Sequence, residues 1–522
     1  MPGLHILDYL VVFVYLAVIV AIGGYFARKQ NSTNEYFTGG RNLPAWALGM
    51  SLLATLISSV TFLAYPGEGY ASNWIRLVQG LMVPISLLVI IWFIVPCYRR
   101  IIGLSAYEYF EKRFGYFARL YSSLAFVLAH FSKMGTVFYL LALALSKMTG
   151  YDTYKVILVL GFVTVLYTLL GGIEAVVWSD VIQGFMLIAG GLICAGVLLF
   201  RPEGGPSVIL QRAWENNKLS LGPYDVDFTK LTFIVMALNG IFYAIQKYGT
   251  DQTVVQRFLA AKSDKAAIRA SLMGTLLCVP VWTLFMFIGT CLWSYYQGAE
   301  FSLPEGIKAD AVFPHFIMTE LPAGVTGLIL AALIAAAMSS LDSDLNCLAA
   351  VGVSDFYLRF KPNRSDKQCL NVGRIIVIIS GICAMAVAFW YVRSGGANVL
   401  KTVFTLYAIF SGGIAGLFIL AFFTTRANTK GLYVGIAACV LFTGYALLTS
   451  EGFIDLGKYN FTQHPYMLGV YSHLVLFGFG YAASFPFRPD QDVRHMTFYG
   501  WLERRRNPDF RGFREKDTQL SN

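Results

Sequence analysis

The chain has 522 residues, of which 57% are hydrophobic, 15% aromatic and only 13% charged. A soluble domain averages about a quarter charged residues, whereas the apolar residues here form blocks of about 20, the length that a helix needs to cross a bilayer. This pattern excludes a soluble enzyme, a secreted disulfide scaffold and a nucleic-acid-binding module. The net charge of +10 is not a DNA footprint, because the basic excess lies in short segments between apolar blocks and in a tail.

The apolar blocks predict an all-α integral membrane protein with about 13 transmembrane helices. They make one transmembrane domain over 1–487, which a tail over 488–522 follows. No basic residue precedes the first block, so we interpret it as a retained helix rather than a cleaved signal peptide. In chain order the predicted spans cover 5–27, 43–65, 76–98, 118–147, 154–173, 176–200, 229–248, 267–297, 323–345, 371–393, 400–424, 430–450 and 466–486.

The distribution of Lys and Arg predicts the orientation of these spans, because basic residues stay on the cytoplasmic side in short loops. With the N-terminus outside, the inward segments hold 28 basic residues, including those of 247–269, and the outward segments hold 11. The remaining basic residue, Lys133, lies inside the fourth span. We therefore expect a multi-pass protein of the plasma (inner) membrane, with the N-terminus outside and the C-terminus in the cytoplasm.

The second span carries hydroxyl residues at mid-depth, between Ser51 and Thr61, followed by Pro66 and Gly67. Serine and threonine compete with the backbone for its own hydrogen bonds. A run of them at the membrane midplane favours an interrupted helix whose freed carbonyls can bind a cation. The alternative is a continuous helix in which each hydroxyl bonds to the carbonyl of residue i−4.

The ninth span ends in a polar cluster in which Ser339, Asp342 and Ser343 share one helix face. Hydroxyl and carboxylate oxygens are hard ligands that suit a hard cation. We expect Asp342 to lie within the membrane and Asp344 to lie beyond it, in a helical extension. Asp180 in the sixth span is predicted at a similar depth, so two packed spans would bring two carboxylates together with a bound cation or a shared proton.

Lys133 is a positive charge within a predicted span, in contrast to the negative charges of Asp180 and Asp342. A charged side chain inside a span is costly and is usually paired or functional. The sequence leaves open whether Lys133 pairs with a carboxylate, extends to the interface or meets an anionic solute.

Several ordered blocks resemble the sodium/solute symporter family, whose members include sodium-coupled sialic acid and sugar symporters. The most specific blocks are ATLISSVTF (54–62), GGIEAVVWSDVIQG (171–184), YGTDQTVVQRFLAAKS (248–263) and GLILAALIAAAMSSLDS (327–343), with NEYFTGGRNLPAWALG (34–49) as further support. The resemblance covers nearly the whole chain. It implies a leucine-transporter-like fold with two inverted five-helix repeats, over 43–200 and 229–424, an additional N-terminal helix at 5–27 and two C-terminal helices within 430–486.

The resemblance also implies two cation sites. The family's sodium site maps to carbonyls and hydroxyls of Ala54, Ile57, Ala336, Ser339 and Ser340. A second site known in sialic acid transport maps to Asp180, Ser339, Asp342 and Ser343. Asp342 departs from the pattern, because the relatives carry a hydroxyl there.

The solute pocket transfers less completely. The arginine that holds a carboxylate in the sialic acid transporter is replaced by Lys133, which keeps the positive charge but loses the bidentate fork. Ser58 and Thr61 match the pocket, and Gln79 lies near a polar position of it. Further candidates, chosen from their depth in the spans, are Asn239, Phe242, Tyr243, Gln246 and Tyr407.

These observations predict a sodium-coupled symporter that imports a small polar solute, such as a sialic acid, a sugar or a related carboxylate, by alternating access. Its expected partners are the solute, Na⁺ and the lipid bilayer, with no nucleic acid, and we expect it to function as a monomer rather than as an enzyme. Two alternatives are a proton-coupled symporter of the same fold and a membrane sensor that does not transport.

Overall fold

The computed structural model describes residues 4–298, 301–394, 412–487 and 493–506. Helices dominate these ranges, and extended pairing within them is limited to an isolated parallel bridge between Leu43 and Ala261. The first half of the chain forms α1 (Ile6–Ala27), α2 (Thr33–Thr38), α3 (Ala45–Leu56), α4 (Ser59–Ala71), α5 (Leu77–Ile101), α6 (Glu108–Phe114), α7 (Tyr116–Thr149), α8 (Thr153–Phe200), α9 (Gly205–Glu215), α10 (Phe233–Thr250) and α11 (Gln252–Ala260).

The second half is equally helical. It forms α12 (Asp264–Tyr295), α13 (Ala309–Glu320), α14 (Val325–Val351), α15 (Leu358–Phe360), α16 (Asp366–Arg393), α17 (Ile414–Phe423), α18 (Thr429–Ser450), α19 (Pro465–Ala482) and α20 (Phe498–Arg506). A π-helical segment, Gly352–Tyr357, joins α14 to α15.

The second predicted span is interrupted, as its hydroxyl residues indicate. α3 ends at Leu56, the backbone is extended at Ile57 and Ser58, and α4 then begins at Ser59. The two helical pieces, Ala45–Leu56 and Thr61–Ala71, are bent by 57°. This confirms the interrupted helix, and it leaves the last carbonyls of α3 without the next turn of helix to bind them.

The fifth and sixth predicted spans meet at Gly172 within α8. A straight helix of 48 residues would be about 72 Å long, more than twice the hydrocarbon thickness of a bilayer. The backbone breaks at Gly172, where φ is 54° and ψ is −151°, a conformation available essentially to glycine. Because Tyr167 and Ser179, on either side of the break, both contact Asp342, the two arms lie against the same part of the protein.

Within the described ranges, eight helices are long and apolar enough to cross a membrane, or nine if α3 and α4 make one span. The long α8 enters this count once although it contains two predicted spans. The total of thirteen therefore stays a prediction. Residues 400–411 of the eleventh predicted span, including Tyr407, lie outside the described residues.

α14 forms the centre of the helical bundle. It packs against α8, α1, α7, α16 and α3, and its residues from Ile329 to Val351 are all buried. Its run of alanines at 331–332 and 335–337 allows neighbouring helices to approach closely. The polar residues at 339–344 are therefore enclosed by protein on every side.

One predicted loop is a buried helix. The sequence assigned 247–269 to an inward-facing segment because it contains five basic residues, but all nine residues of α11 are buried. No pattern in the sequence indicated that α11 is buried or that Arg257 is enclosed, at 1% exposure; the inward side of this segment stays a prediction.

Candidate functional site

The residues predicted for the sodium site lie where the break after α3 meets α14. The Ser339 hydroxyl donates to the carbonyl of Ala54 at 2.9 Å, and the Ser340 hydroxyl reaches the carbonyl of Thr55 at 3.5 Å. Ser339 also lies 3.3 Å from the carbonyl of Ala336. Ile57 is fully buried at the end of α3, so the predicted residues are grouped around one point in the core.

The oxygen atoms at this point fit a hard monovalent cation. Hydroxyls and carbonyls are neutral, hard donors, which suit Na⁺ and not a soft metal ion. Ser339 and Ser340 are both fully buried, and Ala54 is 2% exposed. A cation held there would therefore exchange hydroxyl-to-carbonyl hydrogen bonds for direct contacts with the same oxygens.

The residues of the predicted second cation site fall into two groups. Asp180 accepts a hydrogen bond from Ser51 at 2.5 Å, and Ser343 lies 3.0 Å from the Thr55 hydroxyl. Asp342 instead accepts from Tyr167 at 2.5 Å and from Ser179 at 3.4 Å. Because Ser179 precedes Asp180 in α8, both carboxylates lie beside the same turn of that helix. One oxygen of each, Oδ1, has no hydrogen-bond partner among the described residues.

Arg257 from α11 joins this cluster, and the sequence analysis did not assign it. Its guanidinium donates to Ser343 Oγ at 2.6 Å, to Ser51 Oγ at 3.2 Å and to Asp180 Oδ2 at 3.3 Å. A further donation goes to the Thr253 carbonyl at 2.8 Å within α11. A protein cation therefore already binds two of the four residues predicted for the second site, and it balances one of the two carboxylate charges.

Lys133 pairs with Asp344. The Lys133 ammonium donates to Asp344 Oδ1 at 3.0 Å, and Nδ1 of His130 lies 2.8 Å from the same oxygen. Asp344 is fully buried within the protein, and its expected place in a helical extension beyond the membrane stays a prediction. The position of Asp344 depends on two residues of α7 more than 200 positions away in sequence, so no local pattern could reveal it.

A second carboxylate, Asp251, occupies the junction between α10 and α11. Its side chain caps α11 by accepting from the Thr253 amide at 2.8 Å, and it binds Lys247 of α10 at 2.6 Å. His130 Nε2 lies 3.5 Å from Asp251 Oδ2. An Asp directly before a helix is a favoured N-cap, and Asp251 follows an apolar block. This helix start could therefore have been found in the sequence.

Two cavities lie along one face of α7, with Lys133 between them. The larger, of about 400 Å³, is lined by Leu140, Leu143, Ala144 and Lys147 of α7 and by residues of α4 and α13. The smaller, of about 40 Å³, is lined by Phe126, Ala129 and His130 with Gln246, Thr250 and Asp251. Lys133 is seven residues from both Phe126 and Leu140, so it shares their face, and its side chain is 32% exposed.

The other predicted pocket residues are dispersed. Gln246 lines the smaller cavity, whereas Asn239 donates to the Tyr466 carbonyl at 3.2 Å and Phe242 stacks on His473, both toward α19. Gln79 lies where α5 approaches Gly240 of α10. The remaining candidates are Ser58, half-buried at the start of α4, Thr61, buried one turn later, and Tyr243, which packs against the main apolar core.

Comparison with known sequences gives two consistent findings. The profile described as the sodium:solute symporter family matches residues 36–438, more than three quarters of the chain. The sodium/sialic acid symporter of Proteus mirabilis is 35% identical over 437 residues, which cover 83% of this chain and 88% of that protein.

Comparison with solved structures agrees. A Na⁺-coupled sialic acid symporter, solved in a substrate-bound, outward-open state that reveals a novel Na⁺ site, aligns with a TM-score of 0.87 at 32% identity. The alignment covers 94% of this chain and 99% of the other. Mhp1, a nucleobase-cation-symport-1 family transporter in a closed conformation, aligns with a TM-score of 0.59 at 17% identity over 88% and 97% of the two chains, which shows a likeness of fold alone.

Proposed function

This chain belongs to the sodium:solute symporter family and is a sodium-coupled solute symporter rather than an enzyme, and from that premise we propose that it imports a sialic acid or a related hydroxylated carboxylate by alternating access. The observation that carries the proposal is the contact between Ser339 and the Ala54 carbonyl at the helix break. The solute class is supported by the similarity to sialic acid symporters and by the position of Lys133 between two cavities.

In this proposal, Na⁺ binds oxygens of Ala54, Ile57, Ala336, Ser339 and Ser340. The ion joins α3 and α4 to α14, and this stabilises the form that accepts solute. One monovalent ion gains about 2.3 kcal/mol at 100 mV, and a tenfold gradient adds roughly 1.4 kcal/mol. The total of about 3.7 kcal/mol could support an accumulation on the order of several hundredfold, so one sodium ion is sufficient for uptake.

Lys133 supplies the positive charge for the solute carboxylate. Because its ammonium already binds Asp344, the carboxylate shares Lys133 with Asp344 or displaces it. An ammonium has three donors, and the exposed third of the side chain leaves room for a second acceptor. The hydroxyl groups of the solute have their own proposed partners: Ser58, Thr61, Gln79, Tyr243, Gln246 and, outside the described residues, Tyr407. Asn239 and Phe242 form the adjoining wall toward α19.

The proposal also fixes the arrangement in the membrane. In this arrangement the protein crosses the plasma membrane thirteen times, with inverted repeats over 43–200 and 229–424. Its N-terminus lies outside and its C-terminus lies in the cytoplasm. The excess of basic residues in the inward segments supports this orientation. The proposed functional unit is a monomer.

The test is uptake of labelled sialic acid into proteoliposomes that contain the purified protein. We expect accumulation with an inward Na⁺ gradient and almost none when K⁺ or choline replaces Na⁺. Adding a protonophore at the same Na⁺ concentration separates the two kinds of coupling, because it should abolish uptake driven by a proton gradient and leave uptake driven by the Na⁺ gradient. Equal uptake in all three salts would refute the proposal, and sodium-dependent uptake of a neutral sugar without sialic acid would refute the solute class.

A further inference from the structure

Five ionisable side chains form a buried cluster beside the proposed solute site, and the sodium site uses none of them. Lys133 and His130 come from α7, Asp344 from α14, Lys247 from α10 and Asp251 from the α10–α11 junction. Asp344 is fully buried, and the His130 side chain is 6% exposed. The cluster therefore connects three separate helices through charges of which all but Lys133 are largely buried, so they are screened less than surface charges.

His130 connects the two carboxylates of this cluster. Its Nδ1 lies 2.8 Å from Asp344 and its Nε2 lies 3.5 Å from Asp251, so each ring nitrogen faces a carboxylate oxygen. A neutral imidazole has one donor and one acceptor, and only the imidazolium can donate from both nitrogens. This geometry therefore suits a charged bridge between α14 and the α10–α11 junction.

Lys133 is the member of the cluster that a solute can reach. It shares Asp344 Oδ1 with His130, and its side chain is 32% exposed, whereas the Lys247 side chain is 12% exposed. An anion that binds Lys133 weakens the Lys133–Asp344 pair. Asp344 then depends more strongly on His130, so occupancy at Lys133 changes the charge balance at the bridge.

Asp251 is placed to pass that change toward the cation cluster. Its backbone is extended between α10 and α11, and its carboxylate holds both helices, through Lys247 on one side and the Thr253 amide on the other. α11 also carries Arg257, which binds Asp180 and Ser343. A movement of Asp251 therefore moves the helix that positions the guanidinium beside the cation-binding oxygens.

We propose that His130 is a positioning residue that couples Lys133, through Asp251 and α11, to the affinity of the protein for Na⁺. This inference rests on the proposed function, because it takes Lys133 as the solute contact and Na⁺ as the coupling ion. His130 lines the smaller cavity, but in this proposal it binds neither the solute carboxylate nor Na⁺. Its role is to transmit a change in the ion pairing of Lys133 to the position of Arg257.

The experiment is a double-mutant cycle read out by Na⁺ alone, so it does not depend on the identity of the solute. The purified protein is titrated with NaCl at constant ionic strength, with KCl as the balancing salt, and the melting temperature gives the Na⁺ affinity. We expect Lys133→Gln to change the Na⁺ affinity by roughly fivefold or more, the lower end of typical coupling between sites. In a His130→Gln background the same substitution should have no further effect.

A matched control uses His473, a buried histidine that stacks on Phe242 and lies outside the cluster. His473→Gln should leave the effect of Lys133→Gln unchanged. If His130→Gln does not fold, Asp251→Asn interrupts the same route beyond His130 and should abolish the Lys133 effect in its place.

The outcomes separate the inference from the proposed function. An equal effect of Lys133→Gln on Na⁺ affinity with and without His130 would overturn the inference, even if His130→Gln lowers the melting temperature, because it would show a structural role only. No effect of Lys133→Gln in the otherwise unchanged chain would overturn it as well. Stabilisation by NaCl and KCl to the same extent would instead refute the proposed function.

Discussion

The hydroxyl of Ser339 lies 2.9 Å from the carbonyl of Ala54, so the centre of α14 touches the last turn of α3 just before the helix breaks. This contact joins two segments that are 285 residues apart in sequence. It places a side-chain oxygen and a backbone oxygen where they can share one cation.

Ser339→Ala should weaken the sodium dependence of uptake without abolishing transport at saturating Na⁺. A bond to a charged group is worth roughly 1.5–3 kcal/mol, so the Na⁺ concentration for half-maximal uptake should rise on the order of tenfold or more. Ser271→Ala is the matched control, because Ser271 is a buried serine that bonds only within α12. An unchanged sodium dependence in Ser339→Ala would remove this residue from the site.

Arg257→Met should destabilise the protein strongly, because it leaves Asp180 buried without its cation. Breaking a buried ion pair from one side costs about 3–5 kcal/mol. The double variant Arg257→Met with Asp180→Asn should recover part of the loss, since no uncompensated charge remains. Thermal unfolding of the purified variants measures both effects, and a double variant less stable than Arg257→Met would contradict the pairing.

Gly172→Ala should lower the yield and melting temperature of the folded protein. The φ of 54° with ψ of −151° costs a residue with a side chain about 1–3 kcal/mol, and an added Cβ would lie 2.6 Å from the Tyr36 carbonyl. Gly196→Ala provides the control in the same helix, since a Cβ there meets nothing within 4 Å. Two variants of equal stability would show that the break at Gly172 is not required.

Lys218 gives a prediction about pH. Its ammonium donates to the Tyr70 carbonyl at 2.7 Å at the end of α4 and lies 5.0 Å from the Trp293 ring. Burial lowers the pKa of Lys218 from 10.5 to about 8. Between these two values the unfolded chain binds more protons than the folded protein, so the contribution of Lys218 to stability rises with pH.

The comparison that isolates this effect is the melting temperature of the unchanged protein minus that of Lys218→Met. The difference should increase from about pH 8 to about pH 10, because the charged form of the buried amine is the less favourable one. Lys458→Met, at an exposed position, should show no such trend. A difference that is constant or falls over this range would contradict a lowered pKa.

The parts of the site that the sequence predicted are those encoded by local patterns. The run of hydroxyls indicated the break at Ile57 and Ser58, and the spacing of Ser339 and Ser343 indicated a shared face of α14. The apolar blocks also located the long described helices, although they did not predict the short helices between them, such as α11 and α13, or the break at Gly172 within α8.

The parts that the sequence missed are those set by contacts between distant segments. Arg257 was counted as a loop residue, because a charge in a short segment gives no sign that Ser51, Asp180 and Ser343 surround it. The contacts of Asp344 were not predicted, because its partners His130 and Lys133 belong to another helix. Asn239 and Phe242 were chosen by depth, and depth does not reveal that they face α19.

Direct binding of radioactive sodium to the purified protein tests the central claim, that Na⁺ is held by oxygens where the break after α3 meets α14. The account predicts saturable binding that excess K⁺ does not displace, and binding weakened on the order of tenfold in Ser340→Ala. Sodium binding of equal affinity in the unchanged protein and in Ser340→Ala, or none that exceeds the binding of K⁺, would contradict it.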